Sequence, residues 1–492
     1  MAFRGLPTVI QGGMGVAVSS WQLAAAVSAT GQLGVVSGTA LDVVLARRLQ
    51  DGDVGGHARR ALESFPDPEM AQRALDRYFI PEGRAAGQPY RPVPKLTLRQ
   101  SRAGQELAVV GNFVEVWLAK EGHPGVVGIN FLEKIQMATP CAALGAMLAG
   151  VDFVLMGAGV PRQIPQLLTD LAAGRPGGVG VDVHGADEQY RVEVDPGDLL
   201  GVAPPQLRRP KFLAIISAAV LASYLARDEA TRPDGFVIEG PVAGGHNAPP
   251  RGPMVLDDDD EPVYGPRDDV DLSKIAALGI PFWLAGSYGT PDRVAEAMRA
   301  GAEGVQVGTI FALSQESGLA ENLRTRMRDQ LAAGSLGVHT DPHASPTGFP
   351  FKVAQLSQTL SDRQVYDERP RHCDLSYLRT PYLADEGGIG YRCPSEPVHM
   401  YLRKGGELAD TVGRKCLCNA LTANVGLAQT RRDGFVEPPL VTLGADLGAA
   451  RTLAELHPAG WHAADVIDWL LGAGGGSPAE VERGAPLAAG AR

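Results

Sequence analysis

Short apolar runs alternate with longer stretches in which apolar residues recur every three or four positions, and this rhythm holds from residue 8 to about residue 310. The short runs read as buried strands and the longer ones as helices with one face in a core. Strands are expected at 8–16 (running into a glycine loop), 33–36, 126–130, 153–156, 212–216, 236–239, 282–285 and 305–307, with a helix at 20–28. Strands and helices in alternation imply a parallel sheet, closed or doubly wound. The count is close to the eight strands of a TIM (β/α)8 barrel, which is the expected fold.

An internal repeat supports that rhythm. Residues 139–157 align without gaps onto 290–308, and each copy starts with threonine and proline, passes through an alanine-rich stretch to a glycine, and ends in an apolar run. Such a copy reads as threonine cap, proline at the first helical position, short helix, glycine stop and strand. Charged and proline-bearing sequence over about 40–110 interrupts the pattern and is expected to be a helical insertion within a barrel of residues 1–335. Residues 181–210 read as a mixed excursion, and the acidic run 257–261 as a solvated loop. Residues 336–471 are expected to be a cysteine-containing helical extension that covers the barrel, and 472–492, rich in Gly, Ala and Pro, a disordered tail.

Composition changes this picture little. The 492 residues are 45% hydrophobic and 21% charged, with 61 glycines and 37 prolines, as suits a globular chain with many tight loops. The net charge of −11 is spread along the chain, which argues against nucleic acid or an anionic membrane as partner and for a small-molecule substrate. The longest apolar stretch, 212–226, is too short to span a bilayer. The first ten residues lack the pattern of a signal peptide, so a cytoplasmic location is expected. Five cysteines fit reduced thiols there. Cys373, Cys393, Cys416 and Cys418 could supply four thiolates to zinc or an iron–sulfur cluster, but they lack paired C-x-x-C spacing. They are expected to be buried free thiols, with no metal site.

Three stretches carry candidate chemistry. Residues 236–246 run from an apolar strand through Gly244 and Gly245 to His246, which puts a histidine at a strand's C-terminal mouth, where parallel barrels gather their chemistry. Gly12, Gly13 and Met14 follow the first strand, where the backbone can approach a planar ring or a phosphate. Gly286 and Ser287 follow one late strand, and Gln306, Gly308 and Thr309 lie at the end of the next, an arrangement that commonly forms a phosphate site from amide N–H groups and hydroxyls. Arg251, after two prolines, reads as a solvated loop residue, with an anion clamp as the alternative.

Together, Gln11 to Met14, Gly128 to Asn130, Glu239 with Ala243 to His246, Ala285 with Gly286, and Gly301 to Thr309 resemble the nitronate monooxygenase family, formerly called 2-nitropropane dioxygenases. The related flavin-dependent enoyl-[acyl-carrier-protein] reductases share the barrel. The resemblance spans roughly residues 6–320 and implies non-covalent FMN. Gly12, Gly13, Met14, Gly244 and Gly245 would lie at the flavin, Asn130 would hydrogen-bond its ring, and Gly286, Ser287, Gln306, Gly308 and Thr309 would hold its phosphate. His246 would be the catalytic base or proton shuttle. The activity implied is oxidation of alkyl nitronates with O2 to a carbonyl compound and nitrite. The alternatives are an NAD(P)H-dependent enoyl reductase and, in another class, a non-catalytic FMN or phosphate-binding barrel. The stretch Asn247 to Gly252 and the chain's extra length depart from the family's pattern and leave the substrate open. A homodimer is also left open.

Overall fold

The structure, a computed structural model, describes residues 5–203, 206–385 and 387–472. The expected tail lies outside the described residues, apart from Gly472. Eight parallel strands close into a barrel: β1 (Val9–Gln11), β2 (Leu33–Ser37), β3 (Val127–Leu132), β4 (Phe153–Gly157), β5 (Lys211–Ile216), β6 (Gly235–Glu239), β7 (Phe282–Ala285) and β8 (Gly304–Val307). They pair in chain order, and β1 closes the ring by pairing with both β2, Ile10 opposite Leu33, and β8, Ile10 opposite Gln306. This is the (β/α)8 architecture expected from the apolar rhythm, and all eight expected runs are barrel strands.

Alternation along each strand sorts the apolar residues into two cores. Ile10, Leu33, Phe153, Leu155, Leu213, Val237 and Trp283 pack together inside the barrel, while Val9, Val154, Phe212, Phe236 and Leu284 join the core between barrel and helices. The Trp283 indole N–H donates to Pro7 O at 2.7 Å and fixes the base of the inner core. The same alternation decides what reaches the barrel mouth. Glu239 is two residues beyond inward-facing Val237, and Gln306 is in register with Ile10 and Ala285. Polar side chains are thus delivered to the strand ends by a period of two.

Both repeat copies are helix–strand units, and their glycine stops, Gly150 and Gly301, adopt φ of 73° and 89°. Thr290 caps its helix as expected, accepting from Arg293 N. Thr139 does not. A 3-10 turn, Gln136–Ala138, runs directly into the helix, so Thr139 is already helical and its hydroxyl donates to Ile135 O at 3.0 Å.

Residues between β2 and β3 fold as helices Leu41–Gln50, His57–Glu63, Pro68–Tyr78 and Arg102–Lys120. An antiparallel pair, Gly177–Val181 with Tyr190–Val194, leads into and forms part of the 181–210 excursion outside the barrel. Beyond residue 335 there are helices but also two antiparallel pairs, Val338–Asp341 with Phe351–Ala354 and Thr380–Leu383 with Ile389–Arg392. The final helix, Ala463–Leu471, packs against the helices after β1 and β7, Trp21–Ala29 and Pro291–Arg299. It therefore stands in the outer ring between the helices that follow β1 and β7. Buried Trp461 locks this return by donating to Ile310 O at 2.7 Å. Among the described residues, no helix is long and apolar enough to cross a membrane.

Candidate active site

Two cavities open at the C-terminal mouth of the barrel, and Glu239 lines both. The first, of about 970 Å³, is walled largely by backbone: Gly12 to Gly15, Val242 to Gly245, Gly286 to Thr290, and Gln306 to Ile310. It brings together Gly12, Gly13, Met14, Gly244, Gly245, Gly286, Ser287, Gln306, Gly308 and Thr309, ten of the residues singled out from sequence. Asn130 is not among the residues lining either cavity. It packs under Gly13, where an added Cβ would come within 2.3 Å of the Asn130 Cβ, and its amide donates to Phe131 O at 3.1 Å.

The loop after β7 turns with two left-handed residues in succession, Gly286 at φ 85° and Ser287 at φ 63°. A non-glycine residue there is uncommon and strained, and such strain gathers at functional loops. The Thr309 hydroxyl accepts from Gly444 N at 2.9 Å. Gly244 also faces Gly444: an added Cβ would lie 2.9 Å from the Leu443 carbonyl carbon, so the close approach that glycine permits is to the chain's own residues 443–444. Among the described residues, no lysine or arginine lines this cavity.

These residues fit a flavin mononucleotide. Backbone walls leave room for a flat ring system, and hydroxyls and amides at the late strand ends suit a phosphate. Cavity-lining Gln306 has a buried Oε1 without a hydrogen-bond partner in the structure. The imide N–H of a flavin is a donor of the kind that oxygen lacks.

The second cavity, of about 900 Å³, is lined by titratable and aromatic side chains, among them Glu239, His246, Arg251, Tyr264 and Phe349. The loop carrying His246 is pinned by the segment beyond the barrel. Lys352 N donates to Gly245 O at 3.0 Å, Asn247 N to Pro350 O at 2.9 Å, and Gly245 N to Thr442 Oγ1 at 2.8 Å. The imidazole stands edge-on to Phe351, ring centroids 4.8 Å apart, and its Nε2 is 2.7 Å from Ser345 Oγ, which is 2.8 Å from Thr347 Oγ1. Nδ1 has no hydrogen-bond partner among the described residues.

Burial, helped by the positive charge of Lys134, pushes the His246 pKa down to about 4. Burial pushes Glu239 up to about 7. The two groups thus exchange their ordinary roles: the histidine is neutral and weakly basic across the physiological range, and the carboxyl is the group that titrates near pH 7. Arg251 is exposed and commits its guanidinium to Arg267 O and Ser217 O, which makes it a brace of the cavity wall.

Sequence reasoning named Glu239 without giving it a role, and missed Ser345, Thr442 and Gly444, which come from the segment beyond the barrel. Glu239 could have been found from its phase with Val237. For the other three, the sequence holds no comparable signal, because their approach to the mouth depends on tertiary packing.

The nitronate monooxygenase family profile matches residues 206–336, from just before β5 to beyond β8. No curated protein sequence matches the chain. Among solved structures, FabK from Thermotoga maritima aligns over 95% of this chain and 92% of its own at 16% identity, with a TM-score of 0.45. The nitroalkane oxidase from Streptomyces ansochromogenes aligns over 95% of each chain at 14% identity, with a TM-score of 0.42.

Proposed function

We propose that the chain is an FMN-dependent oxidoreductase of nitronate monooxygenase type, acting on small alkyl nitronates with O2 as co-substrate. The observation that carries this reading is the placement of His246 at the mouth of a closed barrel, in a cavity adjoining one that fits a flavin, within the segment matched by the family profile. FMN in the glycine-walled cavity would supply the electron-accepting chemistry.

The chain's own residues do the rest. Ser287, Thr309 and the neighbouring amides are suited to hold a phosphate by dipoles, without a lysine or arginine in the wall. The second cavity suits a substrate that arrives already deprotonated. A nitronate is an anion whose charge is spread over two oxygens, and a neutral imidazole can donate one N–H to it without being titrated. Lys134, close enough to shift His246, adds an attractive field for the same anion. A neutral nitroalkane must first lose a proton, and the group with a basicity suited to that near pH 7 is Glu239.

The reading is tested by anaerobic mixing of the purified yellow protein with an alkyl nitronate or with NAD(P)H while flavin absorbance is followed. Rapid bleaching by the nitronate with sluggish response to NAD(P)H is expected. Fast reduction by NAD(P)H with no nitronate activity would instead identify an enoyl-reductase type of chemistry. A protein that neither carries nor takes up FMN would remove the flavin reading altogether.

A further inference from the structure

Four of the chain's five cysteines converge although they come from three separate segments. Cys373 lies beyond helix Arg363–Glu368, Cys393 directly follows strand Ile389–Arg392, and Cys416 and Cys418 stand at the start of helix Leu417–Ala423. All four line one small cavity, and none is in a disulfide. Each lies within electrostatic reach of others in the group. The Asn419 amide donates to Cys416 Sγ at 3.5 Å.

Packing alone does not account for this. A buried free cysteine behaves as a small hydrophobe and fills space, as Cys141 does inside helix Thr139–Leu148. The other four meet instead as two thiol pairs within hydrogen-bond reach, Cys373 with Cys393 and Cys416 with Cys418, brought together from three separate segments. A single zinc ion would need its thiolates about 2.3 Å from one centre. Among the described residues no three His, Cys, Asp or Glu side chains are placed to share one ion. Two thiol pairs lining one cavity match a polynuclear centre, in which each iron takes its own thiolates rather than all four sharing one ion.

We infer that Cys373, Cys393, Cys416 and Cys418 ligate an iron–sulfur cluster, in a cavity whose wall includes the residue next to the serine that touches His246. Pro346 lines the thiol cavity, and its neighbour Ser345 is the 2.7 Å partner of His246 Nε2. The four thiols lose their protons on binding, and the cluster's irons take the thiolates as ligands, so assembly changes no oxidation state of the cysteines. A cluster there would brace the strap on which Ser345 sits.

The test uses the full chain, produced with iron and cysteine supplied and purified without oxygen. Iron, acid-labile sulfide and zinc are quantified per chain, and spin-resonance spectra are taken after dithionite reduction. About two to four irons with matching sulfide, and a reduced-state cluster signal distinct from the flavin's, are expected. Cys393→Ser and Cys416→Ser should lose that iron, whereas Cys141→Ser should keep it. The wild-type assay decides the matter even if those variants fail to fold. One equivalent of zinc without iron, four thiols titrating freely in denaturant with no metal, or two disulfides would each overturn the inference. None of these readouts depends on whether the barrel binds FMN.

Discussion

The two cavities that meet at Glu239 are nearly equal in size, about 970 and 900 Å³, and opposite in make. One is walled mostly by glycines and hydroxyls on strand ends of the barrel, closed on one side by residues 442–449 of the later segment. The other is walled by titratable side chains on long loops that the segment beyond residue 335 pins in place. Backbone walls recognise shape and offer fixed dipoles, so they suit a cofactor that stays; side-chain walls set charge and proton affinity, so they suit a substrate that comes and goes. The division predicts that damage to the first cavity costs the cofactor and damage to the second costs chemistry with the cofactor retained.

The largest effect is expected from Gly308→Asp. Gly308 has an ordinary negative φ of −117°, and an added Cβ would meet the Met14 side chain at ordinary contact distance, Sδ at 3.4 Å and Cγ at 3.7 Å, so the backbone tolerates a side chain. A carboxylate there would repel a phosphate in a wall that has no lysine or arginine to offset it. Folded but colourless protein, with FMN affinity lower by about 100-fold or more, is the expected result by circular dichroism and flavin titration. Unchanged flavin retention would place the phosphate elsewhere and erase the contrast between the cavities.

Next in size is Glu239→Gln. With FMN retained, activity on neutral nitroalkanes should fall by about 10²- to 10⁴-fold, the usual worth of a positioned base, while activity on preformed nitronates falls far less. His246→Ala should lower both activities to a similar degree, because a weakly basic imidazole serves mainly to position the anion. A loss confined to nitroalkanes in His246→Ala, with Glu239→Gln nearly normal, would return the role of base to His246.

The barrel was legible because its strands obey two simple physical rules. A strand buried on both faces must be apolar throughout, and its ends must turn through small residues, so residues 153–156 or 282–285 announce themselves. The first cavity was legible for the same reason, since its walls are the residues next to those strands. Thr139 was misread because its pattern matches that of Thr290, and only the preceding 3-10 turn distinguishes them. The second cavity was only half legible. His246 is visible from its strand, but its depressed pKa arises from burial under residues 345–351, about a hundred positions later, and no local pattern encodes that covering. The elevated pKa of Glu239 comes from burial as well and is equally silent in the sequence.

A third, smaller effect is thermodynamic. Because the folded-state pKa of Glu239 is raised to about 7 from the ordinary 4.5, the native state binds its proton more tightly than the unfolded chain does. That contribution is fully present below pH 4.5 and is lost as pH rises through 7. His246 acts in the opposite sense: its pKa is lowered to about 4 from 6.5, so its contribution is present above pH 6.5 and lost as pH falls towards 4. Replacing the carboxyl by an amide removes the first dependence only. Glu239→Gln should therefore be more stable than wild type at pH 8 by on the order of 3 kcal/mol, with little difference at pH 4.5. Urea unfolding at both values checks this, and a variant less stable at pH 8 would show that the carboxylate is paired rather than stranded.

The smallest effect tests how the distal segment serves the barrel. Ser345→Ala removes an oxygen that lies 2.7 Å from His246 Nε2 and 2.8 Å from Thr347 Oγ1 and accepts from Thr347 N at 3.2 Å, but it touches neither the backbone bonds that pin the His246 loop nor the glycine-walled cavity. The imidazole keeps its edge-on contact with Phe351 and loses the bond that fixes its tautomer and ring orientation. A single neutral hydrogen bond is worth about 1 kcal/mol, so kcat/KM on nitronates should fall by roughly 5- to 10-fold with FMN affinity unchanged. Ser345→Thr, which restores a hydroxyl, should recover part of the loss. If Ser345→Ala lowered FMN affinity as strongly as activity, the strap would be part of the cofactor wall, and the two cavities would have to be treated as one site.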